Sequence, residues 1–526
     1  DSVIVDGITG NGVKISIGDD GLEIAHEDLK DNVISGSWDF TNSDSDPTQP
    51  DPCEDADKCG GHGTSIAGII AAKGWNNIGV RGIAPNASIF GDNVLVEGNQ
   101  STANKKLSRG INPPGGVTAD IYNMSYGMGY GKDENEEPNE LYSLPTSIKY
   151  SFNADKEEAF ITGTSSLRDG KGAIYVKSSG NGYETESNST CGTEKILSCT
   201  ESSIDRDNQS PYVINVGALN ADGVKSSYST PGSSMWVSGF GGEGGWDGSI
   251  YSTQGYPAIM TVDRSTCSLG YSRTGSNSNY GKNKFNLAGF SFSDQLNLNP
   301  DCKYNSHFNG TSAAAPTVSG VIALMLEANS DLTWRDVRHI LVTTSDKVDA
   351  SRAATVDDIT QYSWVENAAG YEHHNWYGFG RVNAAAAVSA AKTYTANSLG
   401  SYITSALYQG LTGGTIPDDS GGSVTQDITK ATGSNGIVEF VRVLVNLDHS
   451  EPWSVGIRLQ SPSGTIINLM QPGTNVKNPA GGYYFDIGVS GFYGETIEGT
   501  WTLIVNDYSS GTTGTLDNWG IQIHGN

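Results

Sequence analysis

Three short segments each place a reactive group at the end of a regular element. The first is the apolar run Val13–Ile17, followed by Gly18, Asp19, Asp20 and Gly21. Strand ends of this kind line the functional crevice of doubly wound sheets, although Asp-Asp-Gly alone is an ordinary turn. The second is Gly61-His62-Gly63-Thr64, opening a helix that carries Ile66, Ile69 and Ile70. Glycines on both sides of an imidazole leave room for a substrate backbone, but a lone histidine is more often structural than catalytic. The third is Asn309-Gly310-Thr311-Ser312-Ala313-Ala314-Ala315-Pro316, leading into Val318–Leu326. It sets a hydroxyl at the N-terminus of an apolar helix, where free N–H groups and the dipole favour developing negative charge. Pro316 is expected in the opening turn, and Ser312 alone would be a cap. Together the three supply a nucleophile, a base and a carboxylate to orient the base, the apparatus of acyl transfer through a covalent intermediate. The order Asp, His, Ser is one that unrelated folds use for this purpose.

The elements needed to hold them are legible. Strands are expected at Val13–Ile17, Ser88–Leu95, Asp120–Ser125, Ala173–Ser178 and Tyr212–Ala218, and helices at His62–Ala72, Ser312–Ala328, Thr333–Thr344 and Asn383–Lys392. Alternation of this kind predicts an α/β domain with a parallel sheet covered on both faces. Thr333 and Asp336 form a helix-start signal. Gly239–Tyr304 reads as long surface loops. Near Thr395 the composition changes. Leu399–Val424 is rich in Gly, Ser and Thr, and the strands Val438–Val445, Trp453–Leu459, Thr465–Leu469, Trp501–Val505 and Trp519–Ile523 follow. An α/β domain over 1–394, a linker over about 395–424 and an all-β jelly roll or sandwich closing the 395–526 unit are therefore expected.

The 526 residues carry 59 acidic and 32 basic side chains, a formal charge of −27. Such a surface argues against nucleic acid and suits hard cations and basic ligands. No uninterrupted apolar run has the length of a membrane span, and nothing demands more than a monomer. With no initiator Met or signal peptide, Asp1 is expected to be a processed end. Cys53 lies near Cys59 and Cys191 near Cys199 in polar loops; with Cys267 and Cys302 they make an even set. Spacings poor for zinc and an even count read as disulfides in an oxidising, secreted setting.

The chain resembles the subtilisin-like serine proteases, and among them the kexin/furin branch of proprotein convertases. The resemblance rests on Asp19-Asp20-Gly21, Gly61-His62-Gly63-Thr64 and Gly310–Pro316, on Leu332-Thr-Trp-Arg-Asp-Val337, and on a β segment from about Thr395 similar to that branch's P domain. It implies that Ser312 attacks the scissile carbonyl, His62 takes its proton and Asp19 holds the imidazole. It also implies that Asn181, in Ser178-Ser-Gly-Asn-Gly182, donates to the oxyanion; alone, that tripeptide is a turn. A neutral His62 predicts activity rising through about pH 6–7.

The same resemblance implies cleavage of polypeptides after basic residues. Asp20 matches the acid that receives the residue second before the cut, and Asp205 matches the acid at the base of the primary pocket. Where the family carries two adjacent acids, this chain has Met128-Gly129-Tyr130, with Asp133 and Glu134 later, so dibasic or single-basic preference is expected. Calcium is implied as cofactor. Asp39, Asp44 and Asp46 match one calcium loop, and Asp28 and Asn76 with carbonyls of Lys73, Ile78 and Val80 match another. A further calcium site, behind the primary pocket, is expected to be lost, since Thr230 and Gly129 stand where acids belong. The competing readings are a broad-specificity subtilisin and a catalytically idle binding or adhesion module.

Overall fold

The computed structural model describes residues 2–49, 61–127, 154–183, 200–245, 257–272, 299–356, 359–405, 407–418, 421–428, 436–474 and 483–526. Cys53, Cys59, Cys191, Cys199 and residues 128–134 lie outside these. At the centre of the first unit is a six-stranded parallel sheet, order β2-β1-β3-β4-β5-β6. Its strands are β1 (Lys14–Gly18), β2 (Ser88–Asp92), β3 (Ile121–Met124), β4 (Ile174–Ser178), β5 (Val213–Leu219) and β6 (Met235–Phe240). They read as near-continuous apolar runs because helices cover both faces. β2 and β3 flank β1 on opposite sides. That reversal opens a crevice at the carboxyl end of β1, where Asp19 stands.

Two helices pass through this core. Almost every residue of His62–Ala71 and of Thr311–Ala328 is buried. Thr311–Ala328 is long and apolar enough to cross a membrane, yet 89% of it is buried inside the fold, as befits a core helix. Pro316 sits in its second turn rather than its first. A proline there removes the N–H that would bond Ser312 O, and Ser125 Oγ donates to that carbonyl instead, at 3.0 Å. The Thr333–Asp336 capping box forms as expected. In the Gly239–Tyr304 stretch, Ile259–Val262 pairs with Tyr304–Phe308, and Cys267 is bonded to Cys302.

The C-terminal unit is a sandwich of antiparallel sheets. One contains Ile403–Thr404, Tyr408–Ile416, Val438–His449, Tyr483–Val489 and Gly514–Gly525; the other contains Gly421–Ile428, Val455–Gln460, Ile466–Met470 and Gly499–Asp507. Val441, Val443 and Val445 from one face meet Ile457, Leu459, Trp501, Leu503 and Val505 from the other. The linker expected over 395–424 is corrected here. Tyr408–Ile416 pairs with Gly514–Gly525, and Gly421–Ile428 pairs with Gly499–Asp507. These are strands with a neighbour on one side only, so they need no alternating apolar face, and their Gly/Ser/Thr composition hides them.

The two units share packing. Phe440 and Tyr493 join the core of the α/β unit. Arg335 Nε lies 3.1 Å from both oxygens of Glu439, each side chain less than a tenth exposed. His339 Nδ1 meets Tyr493 Oη at 2.9 Å, and Asn367 Nδ2 donates to Gly491 O and Tyr493 O.

Candidate active site

β1 delivers Asp19 to the crevice fully buried, and His62 enters at the first position of its helix. Asp19 Oδ1 lies 2.8 Å from His62 Nδ1 and also accepts the Asp20 N–H at 2.8 Å. Facing a carboxylate oxygen, Nδ1 carries a proton, which leaves Nε2 as the ring nitrogen that can gain or lose one. Burial pulls the His62 pKa down, but the charge of Asp19, its hydrogen bond and then Asp20 outweigh that, and the imidazole is pushed up to about 9.

Asp20 does positional work. Its Oδ2 accepts His62 N at 2.9 Å and its Oδ1 accepts Gly63 N at 2.8 Å, so it binds the open N-terminus of the helix. Burial and then the neighbouring Asp19 charge raise its carboxyl to about 6, against the lowering effect of His62 and the two amides.

Ser312 stands at the second position of the helix Thr311–Ala328. Its Oγ donates to Ser125 O at 3.2 Å, and no hydrogen bond joins it to His62; such contacts are often loose before substrate binds. Asn181 follows β4 and is held firmly. Its Oδ1 accepts both the N–H and the hydroxyl of Thr311 at 2.8 Å, while Thr311 Oγ1 accepts Gly180 N at 3.1 Å. With the carbonyl oxygen committed, Nδ2 is the end left to face the crevice. Gly310, at φ +100°, lets the chain pass: a Cβ there would lie 3.1 Å from Asn181 Nδ2 and 3.4 Å from Ser312 N. Two donors thus converge beside the serine, an arrangement suited to an oxyanion.

Asp205 lies beneath the segment Ser125–Gly127. A Cβ on Gly127 would stand 2.8 Å from Asp205 Oδ2. Asp205 Oδ1 accepts Asp207 N at 3.0 Å, capping a short 3-10 turn over Arg206–Gln209. Its Oδ2 meets Lys177 Nζ at 2.7 Å, with both side chains buried. Sequence reading missed Lys177, which sits inside an ordinary apolar strand.

The implied calcium ligands divide. Asp39 is buried, its oxygens taken by Thr41 N, Asn42 N, Asn42 Nδ2 and Asn93 Nδ2. Asp44 and Asp46 each accept a backbone N–H of their own loop. Among the described residues no three His, Cys, Asp or Glu gather in the manner of a metal site, so the Asp39–Asp44–Asp46 trio is not brought together. Asp28 is different. It is fully buried, and the 73–80 loop wraps it: Asn76 Nδ2 and Val80 N donate to its carboxylate at 2.6 and 2.9 Å, and Lys73 N donates to its carbonyl. A Cβ on Gly79 would collide with Asp28 Oδ2. The loop assigned to calcium by the resemblance therefore does gather on this buried acid, with Asn76 turning its Nδ2 to Asp28 and its Oδ1 to Ile78 N.

Comparison with known proteins agrees with this architecture. Residues 10–380 match the subtilase family, and residues 438–523 match the proprotein convertase P-domain. The Aeromonas extracellular serine protease of Aeromonas sobria is 33% identical, over 96% of this chain and 79% of its own length. Kexin of Saccharomyces cerevisiae is 28% identical over 98% of this chain and 53% of its own. A crystal structure of the serine protease of Aeromonas sobria superposes with a TM-score of 0.82 at 29% identity, covering 99% of this chain and 89% of that one. The chain belongs to the subtilase family of serine proteases, in the form that carries a C-terminal proprotein convertase P domain.

Proposed function

We propose that this protein is a secreted, calcium-dependent serine endopeptidase that cleaves polypeptides on the carboxyl side of basic residues. The observations that carry the reading are the hydrogen bond between Asp19 and His62 and the pinning of the Asn181 amide on Thr311, the residue before Ser312. Ser312 Oγ turns from Ser125 O towards His62 Nε2, which takes its proton as the oxygen attacks the scissile carbonyl. Asp19 keeps the tautomer and stabilises the imidazolium without being protonated. Asn181 Nδ2 and Ser312 N donate to the oxyanion.

Asp205, under Gly127, is the acid for the primary side chain, and Asp20 serves the residue before it. Asp28, Asn76 and the carbonyls of Lys73, Ile78 and Val80 would hold the calcium ion, which would supply structural charge to a buried acid. The α/β domain spans 1–394 and the P domain 395–526. Secretion follows from the described disulfide and from a relative that is itself called extracellular.

The test is hydrolysis of matched fluorogenic peptides ending in Lys-Arg or Ala-Leu, with Ser312→Ala as the blank. Faster cleavage after Lys-Arg supports the reading. Equal rates favour a broad-specificity subtilisin, for which the Lys177–Asp205 pair is the specific argument. Failure of a fluorophosphonate to label Ser312 would leave only a binding module.

A further inference from the structure

Asp205 is not a bare carboxylate. Lys177 reaches it from β4 at 2.7 Å, with its own side chain 1% exposed and that of Asp205 9%. The same ammonium donates to Tyr126 O at 2.6 Å and lies 3.4 Å from where a Gly127 Cβ would be. Ser125, one residue before Tyr126, is hydrogen-bonded to Ser312 in both directions. The pair therefore abuts the segment that touches the nucleophile. Asp207 is held in parallel by Arg109 at 2.5 Å, so neither acid of this turn stands without a cation.

Opposite charges this close largely cancel for a third charge a few ångströms away. Breaking such a buried pair is costly because it strands the remaining ion. We propose that Lys177 is a specificity-determining residue of the primary pocket, its ammonium masking Asp205 so that preference for a basic over an apolar side chain stays modest. The proposal rests on the assignment of Asp205 to that pocket.

A double-mutant cycle on the full chain tests it, reading the ratio of kcat/KM for the Lys-Arg and Ala-Leu peptides, with thermal melts to confirm folding. Lys177→Met should raise the ratio about tenfold or more, the scale of one charge-assisted contact. Asp205→Asn should lower it, because Lys177 then repels an incoming cation. The combined variant carries no buried charge at the site, and exchanging a buried pair for neutral groups of similar volume is commonly tolerated. It should return the ratio to within about threefold of wild type, an expectation set by cancellation of the pair's field. If the combined variant stays as low as Asp205→Asn, the masking role is wrong while the pocket assignment stands. If Asp205→Asn leaves the ratio unchanged, the pocket assignment itself fails. Should Lys177→Met not fold, comparison of Asp205→Asn with the combined variant still decides the matter.

Discussion

Gln209 in the α/β unit and Gly488 in the P domain are joined by a 2.6 Å hydrogen bond from the Gly488 amide to Gln209 Oε1. The other end of the Gln209 amide donates to Ser202 O at 2.9 Å and Asp205 O at 3.2 Å. One side chain thus connects a P-domain strand to the turn that carries Asp205. Ser233 Oγ donates to Gly488 O beside it, and Ser490 Oγ donates to Met235 O. The P domain thus braces the segments on either side of β5.

Deleting residues 395–526 should therefore abolish folding of the α/β unit. It would expose Trp236, which packs on Tyr493, and strand the buried Arg335 guanidinium. Loss of one partner from such a buried pair alone costs about 3–5 kcal/mol. Soluble yield, circular dichroism and activity of the truncated chain provide the check; a heat-stable, fully active fragment would contradict it.

Gln209→Ala should act more locally. Its expected signature is a rise in KM for the Lys-Arg peptide exceeding the fall in kcat, because the turn carrying Asp205 loses its anchor while the triad is untouched. Steady-state kinetics on both peptides measure the split.

Asn181→Ala should lower kcat by about 10²–10³ with little change in KM, since the donor acts on charge that exists only in the transition state. An equal rise in KM would indicate that Asn181 also binds ground-state substrate.

The pH dependence follows from His62. A base works only when neutral, and a pKa pushed up to about 9 keeps the imidazole protonated at neutral pH, so kcat/KM should climb well above pH 7. Asp19→Asn removes the chief raising influence, so the limb should shift acidwards and the maximum rate should fall steeply. A profile centred near 6.5 in the unmodified protein would show that burial wins over Asp19.

Acid should loosen the junction between the units. Burial lowers His373 to about 4, although its bond to Met235 O opposes this, and lowers His374 to about 3. His373 Nε2 lies between Met235 O and Ser490 Oγ, at 3.1 and 3.0 Å. A histidine with a depressed folded pKa contributes stability above its unfolded value of about 6.5, and that contribution is lost as pH falls towards the folded value. Melting temperature should drop between about pH 6 and 4, and less so in His373→Gln.

Chelation of calcium should also lower the melting temperature, because an ion that binds only the native state stabilises it by mass action, about 2.7 kcal/mol at a hundredfold excess over Kd. Asp28→Asn should abolish the calcium-dependent part of the melt. A response that persists in that variant would move the ion elsewhere.

Local residue patterns are enough to nominate the candidate reactive residues and to give the order of the elements carrying them. Asp19, His62, Asn181 and Ser312 each stand at the junction of a regular element with a glycine-marked turn, and such junctions are local. The buried strands and the Thr333–Asp336 cap were legible for the same reason, since apolar runs and caps need only near neighbours. The strands at Tyr408–Ile416 and Gly421–Ile428 were hidden, because Gly- and Thr-rich edge strands owe their conformation to the partners they pair with. What surrounds each charge depends on contacts between residues far apart in the chain. Lys177 meets Asp205 because the turn leading into β5 folds back against the end of β4, bringing together residues 28 apart. Asp39, Asp44 and Asp46, neighbours in the chain, turn to separate backbone donors. Types and spacing set which chemistry is available; long-range pairing in a low-dielectric interior sets the charge each group presents to a substrate.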